Sequence, residues 1–108
     1  MPHYLLQASY TAQGVSGLVS SPEDRSGAIR SLVESNGGRM ETLYYAFGDS
    51  DVIAIIELPD NVTMAALSMA VGASGGVTNI RTTVLMPISE GVEAARKAAG
   101  INYRPPGS

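Results

Sequence analysis

The sequence predicts an α+β domain with elements in the order βαββαβ, the ferredoxin-like arrangement of a four-stranded antiparallel sheet, followed by a third helix and an extended tail. Three observations carry this. Four β-favouring segments alternate with two amphipathic helical ones. The second and third strands are joined by a turn too short for anything but a hairpin. The first and third strands are the more apolar, as central strands should be, and right-handed crossovers place those two in the middle of the sheet.

The first strand is read from His3 to Tyr10, where Tyr4, Leu5, Leu6 and Ala8 follow one another without a helix signal. Thr11 to Ser20 contains Gly14 and Gly17 among small polar residues and reads as a mobile connection. Ser21-Pro22-Glu23-Asp24 then announces a helix. Ser21 suits the N-cap, Pro22 the first turn, and the two acids the positive end of the helix dipole. Ala28, Ile29, Leu32 and Val33 share one face, and Asn36-Gly37-Gly38 ends the helix.

Met40 to Phe47 reads as the second strand, Gly48-Asp49-Ser50 as a turn and Asp51 to Leu58 as the third strand. Val52–Ile56 is apolar on both parities, so this strand should be central and covered on both faces. Pro59-Asp60-Asn61 stops the strand and caps a second helix, whose apolar surface is Met64, Leu67, Met69 and Val71. Thr78 to Met86 is the fourth strand, with Ile80, Thr82, Val84 and Met86 on one face and Arg81, Thr83 and Leu85 on the other. Ser89 to Ala99 is a short helix capped by Ser89. The domain is therefore expected over residues 1–100, with an extended tail over 101–108 in which Pro105-Pro106 stiffens the chain.

Composition bounds the function. The 108 residues include ten Asp and Glu against seven Lys and Arg, a net charge of −3, with no cysteine and one histidine. One lysine and six scattered arginines make no basic patch, so neither nucleic acid nor an anionic membrane is an expected partner. A cysteine-free chain has no disulfide frame and no thiolate nucleophile, and a single His3 builds no multi-histidine metal site. There is no P-loop, no nucleophile elbow and no metal-ligand spacing, and Gly72 to Gly76 follows a helix rather than a strand, so it is no dinucleotide fingerprint. No cofactor and no metal are expected. The N-terminus carries no secretory pattern and no run approaches the length of a membrane span, which makes a cytoplasmic location the simplest expectation.

Two helices cover one face of such a sheet, yet Leu5, Leu6, Val52, Ile53, Ile55 and Ile56 place aliphatic side chains on both. Burying four or five of them is worth on the order of 10 kcal/mol to whatever covers the second face. A second copy of the chain is the expected cover, giving a homodimer or higher homo-oligomer. The competing arrangement folds the third helix and tail back over that face, but Val92 is the only large aliphatic side chain that helix offers between Ser89 and Ala99.

The stretch Tyr44-Tyr45-Ala46-Phe47-Gly48-Asp49-Ser50-Asp51-Val52-Ile53-Ala54-Ile55-Ile56-Glu57-Leu58-Pro59-Asp60 resembles the signature of the GYD domain family. In that family a Gly-x-Tyr-Asp-like turn precedes an apolar strand and a Glu-x-Pro-Asp ending. Gly48, Asp51, Glu57, Pro59 and Asp60 match, and Ser50 stands where tyrosine is usual. Thr11–Leu18, Asn36-Gly37-Gly38-Arg39 and Tyr103-Arg104-Pro105-Pro106 also look like family features. The resemblance implies a dimeric α/β-barrel-like fold and assembly, and a biochemical role that is undefined.

The candidate site residues follow. Gly48 and Asp51 form a turn in which glycine supplies an unusual backbone angle and the carboxylate bonds local amides, or else they set a carboxylate at the rim of a pocket. Pro59 and Asp60 complete the structural motif. Glu57, near the end of a central strand, either pairs with Arg81 or Arg39 or sits solvated at the strand end. His3, Tyr10 and Tyr44, with Glu57 and Arg81, are the polar groups able to line a cleft and bind a small, planar organic molecule. The same tyrosines also suit interfacial packing, and His3 a frayed end. Tyr103 and Arg104 are either a disordered end or an arm docking on a neighbouring subunit. The leading expectation is a small homo-oligomeric binding or assembly module without catalysis. The alternative is a cofactor-independent enzyme of the dimeric α/β-barrel type, monooxygenase- or isomerase-like, using Tyr, Glu, Arg or His in the cleft.

Overall fold

A computed structural model describes residues 1–107; Ser108, the last residue of the expected tail, lies outside the described residues. Its elements are β1 (His3–Tyr10), α1 (Ala12–Ser20), α2 (Ser26–Ser35), β2 (Arg39–Tyr45), β3 (Val52–Glu57), α3 (Asn61–Ala73), β4 (Val77–Leu85) and α4 (Ile88–Ala99). The four strands form one antiparallel sheet in the order β2-β3-β1-β4. The two strands expected in the middle are in the middle.

The segment expected to be a mobile connection contains α1. Thr11 caps it: its hydroxyl oxygen accepts from the Gly14 amide at 3.1 Å, while its hydroxyl donates to the Gly75 carbonyl at 2.8 Å. Gly14 allows this close approach, since a Cβ there would collide with the Gly76 carbonyl oxygen. The two glycines that read as loop signals thus lie within a helix, one of them serving tertiary contact with the entry to β4. The next helix begins later than its sequence signals suggest. Ser21 does not cap it; α2 starts at Ser26, whose amide donates to Asp24 Oδ1 at 2.9 Å.

The C-terminus of α2 closes as the sequence predicts. Gly37 takes φ +82°, the Gly38 amide donates to the Val33 carbonyl and the Gly37 amide to that of Glu34. These are the two bonds of a Schellman motif, which satisfies carbonyls the helix leaves unpaired. Gly38 itself is wedged against β3: a Cβ there would collide with the Glu57 carbonyl oxygen and crowd Leu58. Asp60 caps α3, its Oδ1 accepting from the Thr63 amide at 2.8 Å. For α4 the N-cap position is Pro87 rather than Ser89, and no side chain caps the helix.

Helices α2 and α3 pack on one face of the sheet. The core between them holds Tyr4, Ala54, Ile56 and Leu58 from the sheet side, Met40 from β2, Val33 from α2, and Met64 and Leu67 from α3. The Tyr4 hydroxyl, buried there, donates to Asn61 Oδ1 at 2.6 Å. Met69, expected on the apolar surface of α3, is exposed instead; two residues beyond Leu67, it falls on a different side of the helix.

No residue of α4 is buried, although Ile88, Val92 and the following Ile101 are apolar and its surface is amphipathic. The chain measures 59 × 33 × 23 Å with a radius of gyration of 17.5 Å, against about 13 Å for a compact domain of this length. The helix and tail therefore do not fold back as a lid over the sheet.

Replacing Gly38 by alanine is expected to cost about 1–3 kcal/mol, because the added methyl has only backbone and a packed leucine to displace. A urea unfolding midpoint equal to that of the parent chain would contradict this.

Candidate functional site on the open sheet face

Register fixes which side chains share the face that α2 and α3 leave uncovered. Three rows run across the sheet from β2 to β4: Arg39–Glu57–His3–Leu85, then Thr42–Ile55–Leu5–Thr83, then Tyr44–Ile53–Gln7–Arg81. The intervening rows, Met40–Ile56–Tyr4–Val84 and Leu43–Ala54–Leu6–Thr82, face the helices. Apolar Leu5, Ile53 and Ile55 fill the middle of the open face, with Leu85 at one margin. Each is only partly buried. Polar side chains stand at both ends, separated along the strands by roughly 13 Å.

At one end Glu57 is held from two sides. Arg39 brings both Nε and Nη2 to its Oε2 at 2.6 Å, and Nε2 of His3 lies 3.2 Å from its Oε1. The other ring nitrogen of His3, Nδ1, lies 3.0 Å from Glu41 Oε1. Glu57 is only 14% exposed, so these contacts compensate a carboxylate drawn largely out of water. Of the two arginines expected as partners for Glu57, Arg39 meets it and Arg81 does not.

Arg81 belongs to the other end, where its Nη2 donates to the Ser50 hydroxyl at 2.6 Å. Ser50 is buried to 5% exposure and opens into a cavity of about 270 Å³ lined also by Gln7, Phe47, Asp49 and Ile53. The guanidinium is thus met by a neutral hydroxyl, with the Asp49 carboxylate elsewhere on the cavity wall.

The remaining candidates are dispersed. Tyr44 shares the open face with Arg81 but is exposed. Tyr10 has the opposite parity and lies beside Tyr45, ring centroids 6.4 Å apart, in a hollow of about 380 Å³ walled by Val15, Leu18 and Phe47. It does not meet His3, Glu57 or Arg81. Asp51 acts structurally: its Oδ2 accepts from the Tyr10 amide at 2.9 Å and its own amide donates to the Ala8 carbonyl, tying the hairpin to β1. Gly48 does not supply an unusual angle, since the positive-φ glycines among the described residues are Gly37, Gly75 and Gly107. Pro59 packs over Gly37, and Tyr103 is exposed.

Glu41 is the site residue that the sequence reading missed. It occupies a bulge between Met40 and Thr42, the extra residue opposite β3. The bulge lets Met40 and Leu43, three positions apart, both face the core, and it leaves Glu41 on the open face beside His3. Two residues from Arg39, Glu41 already shares its parity; the pairing with His3 depends on a register that alternation alone does not reveal.

A family model for the GYD domain matches residues 4–95, from the second residue of β1 into α4. The chain belongs to the GYD domain family. No curated protein matches it. The family is one of small domains of undefined function. In this GYD domain Ser50, in the connection between β2 and β3, is the residue that holds Arg81.

Burial first, and the Tyr45 hydroxyl second, push the Tyr10 phenol up to about 12. A raised folded-state value means that the stability Tyr10 contributes is complete below its unfolded value near 10 and is lost as pH climbs towards 12. Tyr10→Phe is therefore expected to flatten the fall in urea midpoint between pH 10 and 12. An unchanged slope would count against a partly buried phenol held neutral beside Tyr45.

Proposed function

We propose that this GYD domain is a small homodimeric binding module, without catalysis of its own, in which two copies close their open sheet faces on each other and hold a small organic ligand between them. The observation that carries the reading is the open face itself, apolar at its centre and polar at its ends. The antiparallel order β2-β3-β1-β4, with α2 and α3 on its crossovers, supports reading the unit as ferredoxin-like, and a dimeric α/β-barrel-like assembly would cover its second face. Leu5, Ile53, Ile55 and Leu85 from each copy offer on the order of 10 kcal/mol, of the same size as the cost of association. The pairing would be isologous, the same patch meeting itself.

The ligand end is the Arg81 cavity. A guanidinium seated on a neutral hydroxyl, with the Gln7 amide, the Asp49 carboxylate and the apolar Ile53 and Phe47 alongside, suits a small molecule that offers a carboxylate to Arg81 and a hydrogen-bond donor to Asp49. The amphipathic α4 and the tail bearing Tyr103 and Arg104 extend beyond the sheet and supply an arm for the neighbouring copy. A composition without cysteine suits a cytoplasmic setting.

Sedimentation equilibrium at micromolar concentration is expected to give twice the 11.2 kDa chain mass, and Ile53→Asp to return it to the monomer. A parent chain that sediments as a monomer overturns the assembly. Arg81→Ala is expected to abolish uptake of a carboxylate-bearing ligand while leaving the dimer intact, and removal of residues 101–108 to weaken association.

A further inference from the structure

We propose that His3, Glu41 and Glu57 form a binding site for a divalent first-row transition cation, with one coordination position left open. The three residues come from three adjacent strands, β1, β2 and β3, and each offers one donor atom, all lying within 4.8 Å of one another. Donors bound at about 2.0–2.2 Å to one ion lie at most about 4.4 Å apart, so a modest rotation of the side chains closes the set around a cation. Glu41, a third exposed and on a bulge, is the side chain with room to make that rotation.

Three further features distinguish this set from a chance meeting of surface charges. Of the two Glu57 oxygens Arg39 holds Oε2, through two nitrogens at 2.6 Å, and so fixes the carboxylate with Oε1 directed at His3, while its Nη2 also lies 3.6 Å from Glu41 Oε1. That is the role an outer partner plays in orienting a ligand carboxylate. The bulge that places Glu41 interrupts the β2–β3 ladder, a feature that often re-aims a side chain beside a functional site. A cavity of about 280 Å³ adjoins His3 and Glu41, walled by Ile55, Leu85, Met86 and Pro87. It provides the space a fourth, exchangeable ligand needs, with largely apolar walls.

One imidazole and two carboxylates suit zinc, manganese or iron in the divalent state better than calcium or magnesium, which prefer all-oxygen shells. Two carboxylates neutralise a dication, and Arg39 offsets part of the repulsion between them when no ion is bound. In that state the His3 ring bridges the two glutamates. A cation would take one ring nitrogen and one oxygen from each of them.

The donors belong to one chain, so the site does not need the second copy proposed above, although it lies on the same open face and shares Ile55 and Leu85 with it; the monomeric Ile53→Asp variant is expected to retain it. The test uses untagged, chelator-stripped full-length protein titrated with Zn²⁺ by calorimetry. One ion per chain is expected. His3→Ala, His3→Gln and Glu57→Gln are each expected to lower affinity at least tenfold, and Arg39→Ala about tenfold, as for loss of an outer partner. Glu23→Gln, which alters an exposed acid of the α1–α2 loop, should change nothing. Because the chain has a single histidine, its imidazole proton resonances report coordination directly and should shift to saturation at one equivalent. Absence of saturable Zn²⁺ uptake overturns the proposal, and so does uptake that persists unchanged in the His3 variants. Circular dichroism of those variants in chelator identifies any loss caused by misfolding, and His3→Gln then decides the matter in place of His3→Ala.

Discussion

One constraint governs the molecule: both long crossover connections carry their principal helices to the same side of the sheet. Tyr4, Ala54 and Ile56 consequently find a core, while Leu5, Ile53 and Ile55, one position away on the same strands, do not. In a strand the side-chain period is two, so no slip of register relieves this without exposing the other set. The apolar centre of the open face follows from that geometry, and the polar residues at its two ends are the chemistry the fold makes available to a binding partner.

Those ends differ in kind. Glu57 is drawn out of water and compensated by His3 and Arg39, which makes the first row a closed charge network. Arg81 rests on the Ser50 hydroxyl, in a cavity that Asp49 also lines, so the last row is a looser arrangement of charges. In the isologous pairing proposed above, such an asymmetry would favour an orientation that keeps the two Arg81 guanidinium groups apart.

Much of the fold was legible because local and tertiary preferences agree. Gly37 and Gly38 end α2, Asp60 starts α3, and the hairpin and the two central strands lie where the apolar pattern puts them. What was not legible depended on contacts distant in sequence. Gly14 reads as a loop residue and is a helix residue because Gly76 approaches it. Ser21 has the chemistry of a cap, yet Arg25 stands at the N-cap position and it is Asp24 that accepts from the Ser26 amide. The site was legible in part: His3, Glu57 and Arg39 were recognisable as polar groups near a strand end, but their meeting depends on the β1–β3 and β2–β3 registers, and Glu41 on a bulge that leaves no mark in the composition. Tyr10 was grouped with them because its ring chemistry suited the cleft; its parity puts it on the opposite surface.

The exposed α4 has a spectroscopic consequence. A helix of 12 residues with nothing buried draws no support from packing, and an isolated helix that short is marginal in water. If the chain pairs as proposed and the arm docks on its partner, far-ultraviolet ellipticity becomes a gauge of that pairing, with the arm unwinding on dilution before the sheet is disturbed.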